Sequence, residues 1–257
     1  MDINITVSDP DDGHNTGPVQ IGWFRSDGKN AVLFDPPERI TQRSGNRSHA
    51  KSAARCPSVI QLESRYFMIK CPIDLHLGFA RNDKGQAILI NRAGNASPIR
   101  SAKLRSMVIM VDEVEWRYPD RPTVQMVLPY TFISDELAYV TQTAPFMHYL
   151  PQPWPGTIFG GRFPISVWPR PMMWAFEWHD TSKDLILRRG DPLFYVQFEA
   201  RDPSRTVQLI EAELTPELSG YVEAISGAVN YVSQTFSLFK SAEAMRPRKL
   251  LKAKERE

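Results

Sequence analysis

The sequence predicts a mainly β protein, a jelly-roll or β-sandwich-like domain with a long C-terminal α-helix. Apolar and polar residues alternate with a period of two through much of the chain, which is typical of strands. The 21 prolines outnumber the 14 glycines and lie between apolar runs, as expected for short strands joined by rigid turns. A helical period appears only in the last third. With 42% hydrophobic and 23% charged residues, the chain has the composition of a packed globular protein.

The composition divides the chain into four predicted segments. Residues 1–55 form a polar, partly extended N-terminal arm, and residues 56–212 form a β-rich core domain. Residues 213–245 form a long helix, and residues 246–257 form a basic tail. The net charge of +2 predicts no particular partner. Cys56 and Cys71 each precede a proline, and we expect both to be free, buried thiols.

The first half of the predicted core reads as a series of strands. The segment "SVIQLESRYFMIKCPIDLHLGFA" predicts two strands around a turn near Glu63 and Ser64. In the following segment, Asp83, Lys84 and Gly85 separate two apolar runs, which is the signal of a β-hairpin.

The segment "AFEWHDTSKDLILRRGDPLFYVQFE", residues 175–199, carries the clearest strand signal. Period two predicts one face with Met172, Trp174, Phe176 and Trp178, and an opposite face with Met173, Ala175, Glu177 and His179. Residues 180–184 form the predicted turn of a hairpin, residues 185–187 its return, and residues 189–192 a second turn. Phe194, Val196 and Phe198 then share one face of the next strand. Glu177, His179 and the nearby arginines leave open whether this segment is also an active site.

The C-terminal third predicts a helix with one apolar stripe. Thr215 has the residue type of an N-cap, and Pro216 follows at the first helical position. Apolar residues then recur at spacings of 4, 3, 4, 3, 4 and 3: Leu218, Val222, Ile225, Val229, Val232, Phe236 and Phe239. Two interpretations follow, because such a stripe packs either on the protein's own sheet or on another subunit as an interface.

Basic residues form a second regular pattern near the N-terminus. A spacing of four relates Arg39, Arg43, Arg47, Lys51 and Arg55, which would share one cationic face of a helix. Such a face could bind nucleic acid or an acidic protein surface. Ser44, Gly45 and Asn46 interrupt helical propensity, so a solvated loop is the favoured interpretation.

Motifs for common cofactor and metal chemistry are missing from the sequence. The histidines do not form H-x-H or H-E-x-x-H patterns, and there is no G-x-S-x-G, phosphate-binding loop or dinucleotide fingerprint. We therefore predict no metal and no cofactor. An aromatic-rich region could instead line a ligand site, although aromatic density is also typical of a β core. Its residues are Phe146, Tyr149, Trp154, Phe159, Phe163, Trp168, Trp174 and Trp178.

Residues 175–198 resemble the closing strands of the dUTPase and dCTP deaminase superfamily. The segment "FEWHD" followed by "LILRRGDPLFYVQFE" matches that layout of strand, turn and strand. The resemblance implies that Glu177 is the catalytic carboxylate, the general base that activates water. The serine and arginine segment of that family has no full counterpart here, since "GTIFGGRFPISVWPRP" offers only Arg162 and Ser166. Arg162, Arg188 and Arg189 are the candidates for holding phosphate.

Three other segments resemble proteins encoded by tailed phages of marine bacteria. They are "CPSVIQLESRYFMIKCPIDLHLGF", "GRFPISVWPRPMMWAFEW" and "RRGDPLFYVQFE". The resemblance implies a role in phage assembly or in takeover of the host, and a location in the host cytoplasm or the virion. No signal peptide and no apolar run of membrane-spanning length are present. We therefore expect a non-enzymatic structural or interaction protein with protein partners or a homo-oligomer. The alternative is a nucleotide-acting hydrolase or deaminase that uses Glu177.

Overall fold

The structure is a computed structural model that describes residues 17–26, 31–41, 52 and 55–255, and it confirms the mainly β class. In chain order, the strands of this part of the chain are β1 (Val19–Arg25), β2 (Glu38–Arg39), β3 (Tyr66–Lys70), β4 (Leu75–Arg81), β5 (Ala87–Asn91), β6 (Val108–Met110), β7 (Thr123–Ile133), β8 (Ala138–Thr143), β9 (Gly156–Ile158), β10 (Gly161–Pro164), β11 (Pro171–Trp178), β12 (Leu185–Leu187), β13 (Pro192–Ala200) and β14 (Val207–Glu211). The helices are α1 (Pro57–Glu63), α2 (Ser101–Met107), α3 (Pro216–Val229) and α4 (Phe239–Met245).

The strands form three sheets. The largest has the order β14-β1-β7-β11-β9, and β6 also pairs with β7. The second has the order β10-β8-β13-β3-β2, and the third has the order β12-β4-β5. The pair β1–β14 is parallel, whereas the other ladders are antiparallel.

One hydrophobic cluster joins the three sheets. It contains residues of β7 and β11 from the first sheet, β3 and β13 from the second, and β4 and β12 from the third. Aromatic rings fill much of it, and the rings of Trp174 and Phe176 stack with centroids 5.4 Å apart. Burial of each large apolar side chain contributes about 1.5–3 kcal/mol, so this cluster supplies the main stabilisation of the fold.

The three strands predicted between residues 172 and 199 are present, but the predicted hairpin is wrong. Strands β11, β12 and β13 lie in three different sheets, and β12 pairs with β4 instead of β11. The indole Nε1 of Trp178 donates hydrogen bonds to the carbonyl oxygens of Asp180 (3.0 Å) and Lys183 (3.1 Å). These bonds hold the connection in a compact turn, and the chain leaves it toward the third sheet.

The start of the predicted core is helical, which corrects the strand predicted before Glu63. Pro57 occupies the first turn of α1, where its missing N–H is not needed. The predicted hairpin around Asp83 to Gly85 is confirmed, because it joins β4 and β5. Gly85 has a φ of +75°, a conformation that favours glycine.

The core extends beyond the predicted boundaries at both ends. Strand β1 lies between β14 and β7, so residues before 56 belong to the largest sheet. The predicted basic tail also packs on the protein, since Leu250 and Leu251 are buried. Ala253 forms a bridge with Ala212 at the end of β14.

The predicted long C-terminal helix is replaced by shorter elements. The predicted N-cap is confirmed, because Oγ1 of Thr215 accepts a hydrogen bond from the N–H of Leu218 at 3.2 Å. Helix α3 then ends at Val229, and a 3-10 turn precedes α4. Gly220 and Gly227 each lower helix stability by about 1 kcal/mol relative to alanine. Helix α3 ends at its C-cap residue Asn230, and the apolar residues Tyr231 and Phe236 that follow are exposed.

Candidate functional site

Glu177 occupies an interior strand of the largest sheet. Its strand β11 runs between β7 and β9, where Glu177 pairs with Thr123 on one side and Thr157 on the other. Gly156 permits this close approach, because a Cβ there would lie 2.0 Å from the carbonyl oxygen of Glu177. The residue is only 4% exposed. The sheet therefore holds a carboxylate where strands usually place apolar or hydrogen-bonded groups.

Two basic side chains surround this carboxylate. Oε1 of Glu177 lies 2.8 Å from Nε2 of His179 and 3.6 Å from a terminal nitrogen of Arg121. Oε2 is buried and, in the described part of the chain, has no hydrogen-bond partner. We call Glu177, His179 and Arg121 the Glu177 cluster. The prediction that Glu177 and His179 share a face is confirmed by their contact.

The contacts of His179 assign the position of its ring proton. An ionised carboxylate only accepts hydrogen bonds, so Nε2 of His179 carries a hydrogen and donates it to Glu177. Oγ1 of Thr157 lies 3.2 Å from the same nitrogen. Nδ1 has no hydrogen-bond partner among the described residues, and the side chain is 39% exposed. This nitrogen therefore remains available to a molecule in solution.

Arg121 is the member of the cluster that the sequence analysis missed. It follows the Pro119–Asp120 turn, and its guanidinium lies over the ring of Tyr118 at 4.4 Å. Its side chain is 37% exposed. The bridge between Tyr118 and Arg121 closes this turn beside the start of β7. That turn was recognisable from the sequence, but the pairing of β7 with β11 was not.

A second cluster also combines a carboxylate, a histidine and an arginine, and its carboxylate is Asp184, just before β12. Asp184 contacts Nε2 of His76 through Oδ2 at 2.8 Å and Nε of Arg92 through Oδ1 at 3.2 Å. We call these residues the Asp184 cluster. Burial acts to raise the pKa of Asp184, but its hydrogen bonds to His76 and Arg92 outweigh burial and leave that pKa below its usual value. Both oxygens of this carboxylate are therefore used within the protein.

The arginines predicted to hold phosphate do not contact Glu177. Arg162 binds Oε2 of Glu199 at 2.8 Å and lies over the ring of Tyr139. Arg188 and Arg189 are exposed in the turn after β12. The backbone N–H of Arg189 donates to Asp74 at 2.8 Å. The structure thus brings Arg121, and none of these three, to the carboxylate.

Arg39 does not belong to a cationic helical face, the less favoured interpretation of the basic residues. It lies in β2, where its guanidinium donates to the carbonyl oxygen of Val207 at 2.6 Å and lies over the ring of Phe67. Arg55 precedes α1. Arg43, Arg47 and Lys51 lie outside the described residues. Because a strand residue cannot continue a helical face, one helical face shared by all five residues is excluded.

The C-terminal apolar stripe divides into a buried and an exposed half. Leu218, Val222 and Ile225 are buried in a second hydrophobic cluster with Phe24, Ile133, Val167 and Trp168, and Phe239 joins the same cluster. Val229 is 38% exposed and Phe236 is 64% exposed, while Val232 is partly buried. The buried residues therefore pack on the protein's own sheet and the exposed ones do not.

An apolar groove lies between α3 and α4. Its volume is about 120 Å³, and Trp168, Tyr221, Ile225, Leu238, Ala242 and Met245 line it. Met245 is itself 67% exposed, and Tyr231 is 90% exposed. The ring of Phe236 contacts that of Phe239 at 5.3 Å, and Phe239 contacts Trp168 at 5.1 Å. We call Val229, Tyr231, Phe236 and Met245 the C-terminal patch.

The aromatic-rich region mostly fills the core. Trp154 contacts the rings of Trp174 and Phe176, and Trp178 is fully buried. Phe146 and Tyr149 are the exposed exceptions, at 57% and 83%. These rings pack against one another, so the region forms part of the core rather than an open ligand wall.

Both cysteines are free, as expected. The expectation that both are buried is confirmed for Cys71 and wrong for Cys56, which is exposed. Burial raises the pKa of the Cys71 thiol to about 12, so this thiol stays protonated and unreactive at neutral pH.

No protein-family model, curated protein or solved structure matches this chain. Among the helices that the structure describes, none is long and apolar enough to cross a membrane.

Proposed function

We propose that the protein is a structural protein that assembles through contacts between copies of itself, made by the C-terminal patch. The observation that carries this proposal is the exposure of Phe236, Tyr231 and Met245 in the C-terminal part of the chain, where Met245 lines an apolar groove. A single exposed apolar residue is ordinary on a protein surface, but a group of large ones beside a groove is typical of interaction sites.

The patch combines protruding side chains with a depression. Phe236 and Tyr231 are large and exposed, and the groove between α3 and α4 has a volume of about 120 Å³. A surface with both features can pair with an identical surface about a two-fold axis, because each copy inserts its side chain into the groove of the other. This self-complementarity supports a second copy of the chain as the partner.

Charge on the same elements supports the pairing of copies. Glu217 and Glu223 are exposed on α3, whereas Lys240 is exposed on α4. A two-fold contact that crosses α3 of one copy with α4 of the other brings opposite charges together at its rim. Rim charges favour the correct orientation of two proteins more than they raise affinity.

The wider role in this proposal is that of a phage virion or assembly component. It is supported by the resemblance of three segments to proteins of tailed phages. A β-sandwich architecture is part of the same proposal, and it is supported by the single core shared between the larger sheets. The nucleotide-acting alternative is less well supported, because Arg162, Arg188 and Arg189 do not contact Glu177.

The test is the molar mass of the full chain in solution, measured by light scattering at two concentrations. The wild type should exceed the 29.3 kDa of one chain, and its mass should rise with concentration. A variant with Tyr231→Ser and Phe236→Ser should remain at the mass of one chain at both concentrations. These residues are highly exposed, so the variant should keep its fold.

A matched control removes apolar residues elsewhere on the surface. Val32 and Val114 are 86% and 93% exposed, so Val32→Ser with Val114→Ser changes surface polarity without touching the patch. This control should assemble like the wild type. A monomeric wild type at high concentration, or an unchanged mass for the patch variant, would refute assembly through the patch.

A further inference from the structure

We infer that the Glu177 cluster is a binding site for a small oxyanion group, a phosphate or carboxylate, held by Arg121 and His179. The cluster uses no residue of the C-terminal patch, so this inference and the proposed assembly can fail independently. The hydrogen bonding of Glu177 is anomalous. Its carboxylate is only 4% exposed, yet one buried oxygen has no hydrogen-bond partner among the described residues. Leaving a buried polar atom unpaired costs about 1–3 kcal/mol, and such atoms often indicate a functional site.

The Asp184 cluster shows that a carboxylate beside a histidine and an arginine need not keep an unpaired oxygen. It contains the same three kinds of group, and the His76 contact of 2.8 Å equals the His179 contact. In the Asp184 cluster the arginine is hydrogen-bonded to the second oxygen at 3.2 Å. In the Glu177 cluster the arginine lies 3.6 Å from the oxygen already used by histidine, which is too far for a hydrogen bond.

The distance leaves the donors of Arg121 unused. Among the described residues, its side chain makes no hydrogen bond, although it is drawn to Glu177 by charge and lies over the ring of Tyr118. A guanidinium has five N–H donors in a planar fork, which suits the oxygens of a phosphate or carboxylate. Because the side chain is 37% exposed, these donors are accessible from solution.

His179 supplies the second contact. Its Nε2 donates to Glu177, so its remaining nitrogen, Nδ1, is the one that faces away from the carboxylate and is free of protein partners in the described structure. A protonated imidazole donates from both nitrogens. The contact of Nε2 with Glu177 therefore fixes the orientation of the His179 ring, and the protonated Nδ1 can donate a hydrogen bond to an anion.

The unpaired oxygen of Glu177 has a role in this arrangement. When an anion binds, Arg121 can close onto the carboxylate and donate to Oε1 and Oε2 together. Its outer N–H groups then point to the ligand. A bidentate pair of this kind fixes the plane of the guanidinium. Lysine carries the same charge but cannot form that pair, so it is the informative substitution.

The experiment is a titration of the full chain with sodium phosphate, followed by NMR of histidine ring and arginine Nε–H signals. Ionic strength is held constant with sodium chloride. We expect the His179 and Arg121 signals to shift together and to saturate with one dissociation constant, while the His76 signals stay in place. A parallel titration with sodium acetate distinguishes a site for phosphate groups from a site that also accepts carboxylates. A comparable response supports recognition of any oxyanion group, and a response to phosphate alone supports a phosphoryl ligand.

Three variants test the assignment of roles. Arg121→Lys and His179→Gln should each weaken phosphate binding at least tenfold, and Glu177→Gln should do the same although it does not touch the ligand. His76→Gln is the matched control from the Asp184 cluster and should leave binding unchanged. Shifts that never saturate, or that persist unchanged in Arg121→Lys, would overturn the inference. A circular dichroism spectrum equal to that of the wild type shows that each variant is folded.

Discussion

The two halves of the C-terminal apolar stripe have the same spacing in the sequence but opposite environments in the structure. Leu218, Val222 and Ile225 are 1%, 8% and 4% exposed, whereas Val229 and Phe236 are 38% and 64% exposed. The first half is anchored at a capped helix start and packs on residues of the sheet. The second half begins where α3 ends; Val229 and Phe236 lie at the surface, and only its last member, Phe239, returns to the buried cluster.

The difference shows that a regular apolar spacing predicts which side chains share a helix face, but not where the helix ends. The spacing of four and three residues indicates which side chains share a face, provided that the helix continues. It does not report where the helix stops, because glycines and polar residues decide that locally. Because the helix stops at Val229, the later members of the stripe no longer share one face: Phe236 is exposed, whereas Phe239 is buried.

The largest predicted effect concerns the buried half. Leu218→Ala should lower the free energy of unfolding by about 2–4 kcal/mol, because it leaves a cavity in the second hydrophobic cluster. Val229→Ala removes an apolar side chain from the exposed half and should change stability by less than about 0.5 kcal/mol. Urea unfolding followed by tryptophan fluorescence measures both. Equal losses for the two variants would erase the distinction between the halves.

A smaller effect is expected at Tyr221, which holds the buried half in place. Its hydroxyl donates to the carbonyl oxygen of Val167 at 2.7 Å and lies 3.1 Å from that of Ala242. Tyr221→Phe should therefore cost about 1 kcal/mol at neutral pH.

The same residue predicts a dependence on pH. Burial raises the pKa of Tyr221 to about 12, above the value of about 10 for an unfolded tyrosine. The stability that the neutral hydroxyl supplies is thus fully present below pH ~10 and is lost as the pH rises toward 12. The difference in unfolding free energy between wild type and Tyr221→Phe should shrink over that interval. A constant difference would show that Tyr221 does not titrate with unfolding.

The start of α3 offers a prediction of similar size with a conservative control. Thr215→Ala removes the side-chain oxygen that caps the N–H of Leu218, and it should lower stability by about 1 kcal/mol. Thr215→Ser retains the oxygen and should lose much less. If serine and alanine are equally destabilising in thermal unfolding, the cap does not anchor the buried half.

The smallest predicted effect lies where the two halves meet. A Cβ at Gly227 would contact nothing within 4 Å, and the residue is helical. Gly227→Ala should therefore raise stability by about 0.5–1 kcal/mol. The gain is measurable by urea unfolding, with Gly220→Ala as a second helical site of the same kind. Destabilisation by both substitutions would mean that glycine is required in α3 for another reason.

Particular residues show how far the sequence predicted the fold. The alternation in Met172 to Trp178 predicted β11 because the period of two is a local property. The partner of β12 was not local, since β12 pairs with β4 from much earlier in the chain. The short separation of β11 and β12 in the sequence suggested a hairpin between them. The contacts of Asp184 with His76 and Arg92 result instead from the pairing of β12 with β4.

The candidate site followed the same rule. Glu177 and His179 are two residues apart in a strand, so their shared face was predictable and is confirmed. Arg121 lies in another turn and reaches Glu177 only because β7 pairs with β11. The unpaired oxygen of Glu177 depends on a difference of tenths of an ångström between two arginine contacts. No sequence pattern encodes a difference of that size.

Hydrogen–deuterium exchange of the full chain at low and high protein concentration tests the central claim most directly. We predict that residues 216–225 are protected at both concentrations, because they are buried on the protein's own sheet. Residues 229–238 should become more protected only at high concentration, and Phe236→Ser should abolish that gain. If exchange in residues 229–238 is independent of concentration, the exposed half is not the interface and the account of the protein as a self-assembling structural protein is contradicted.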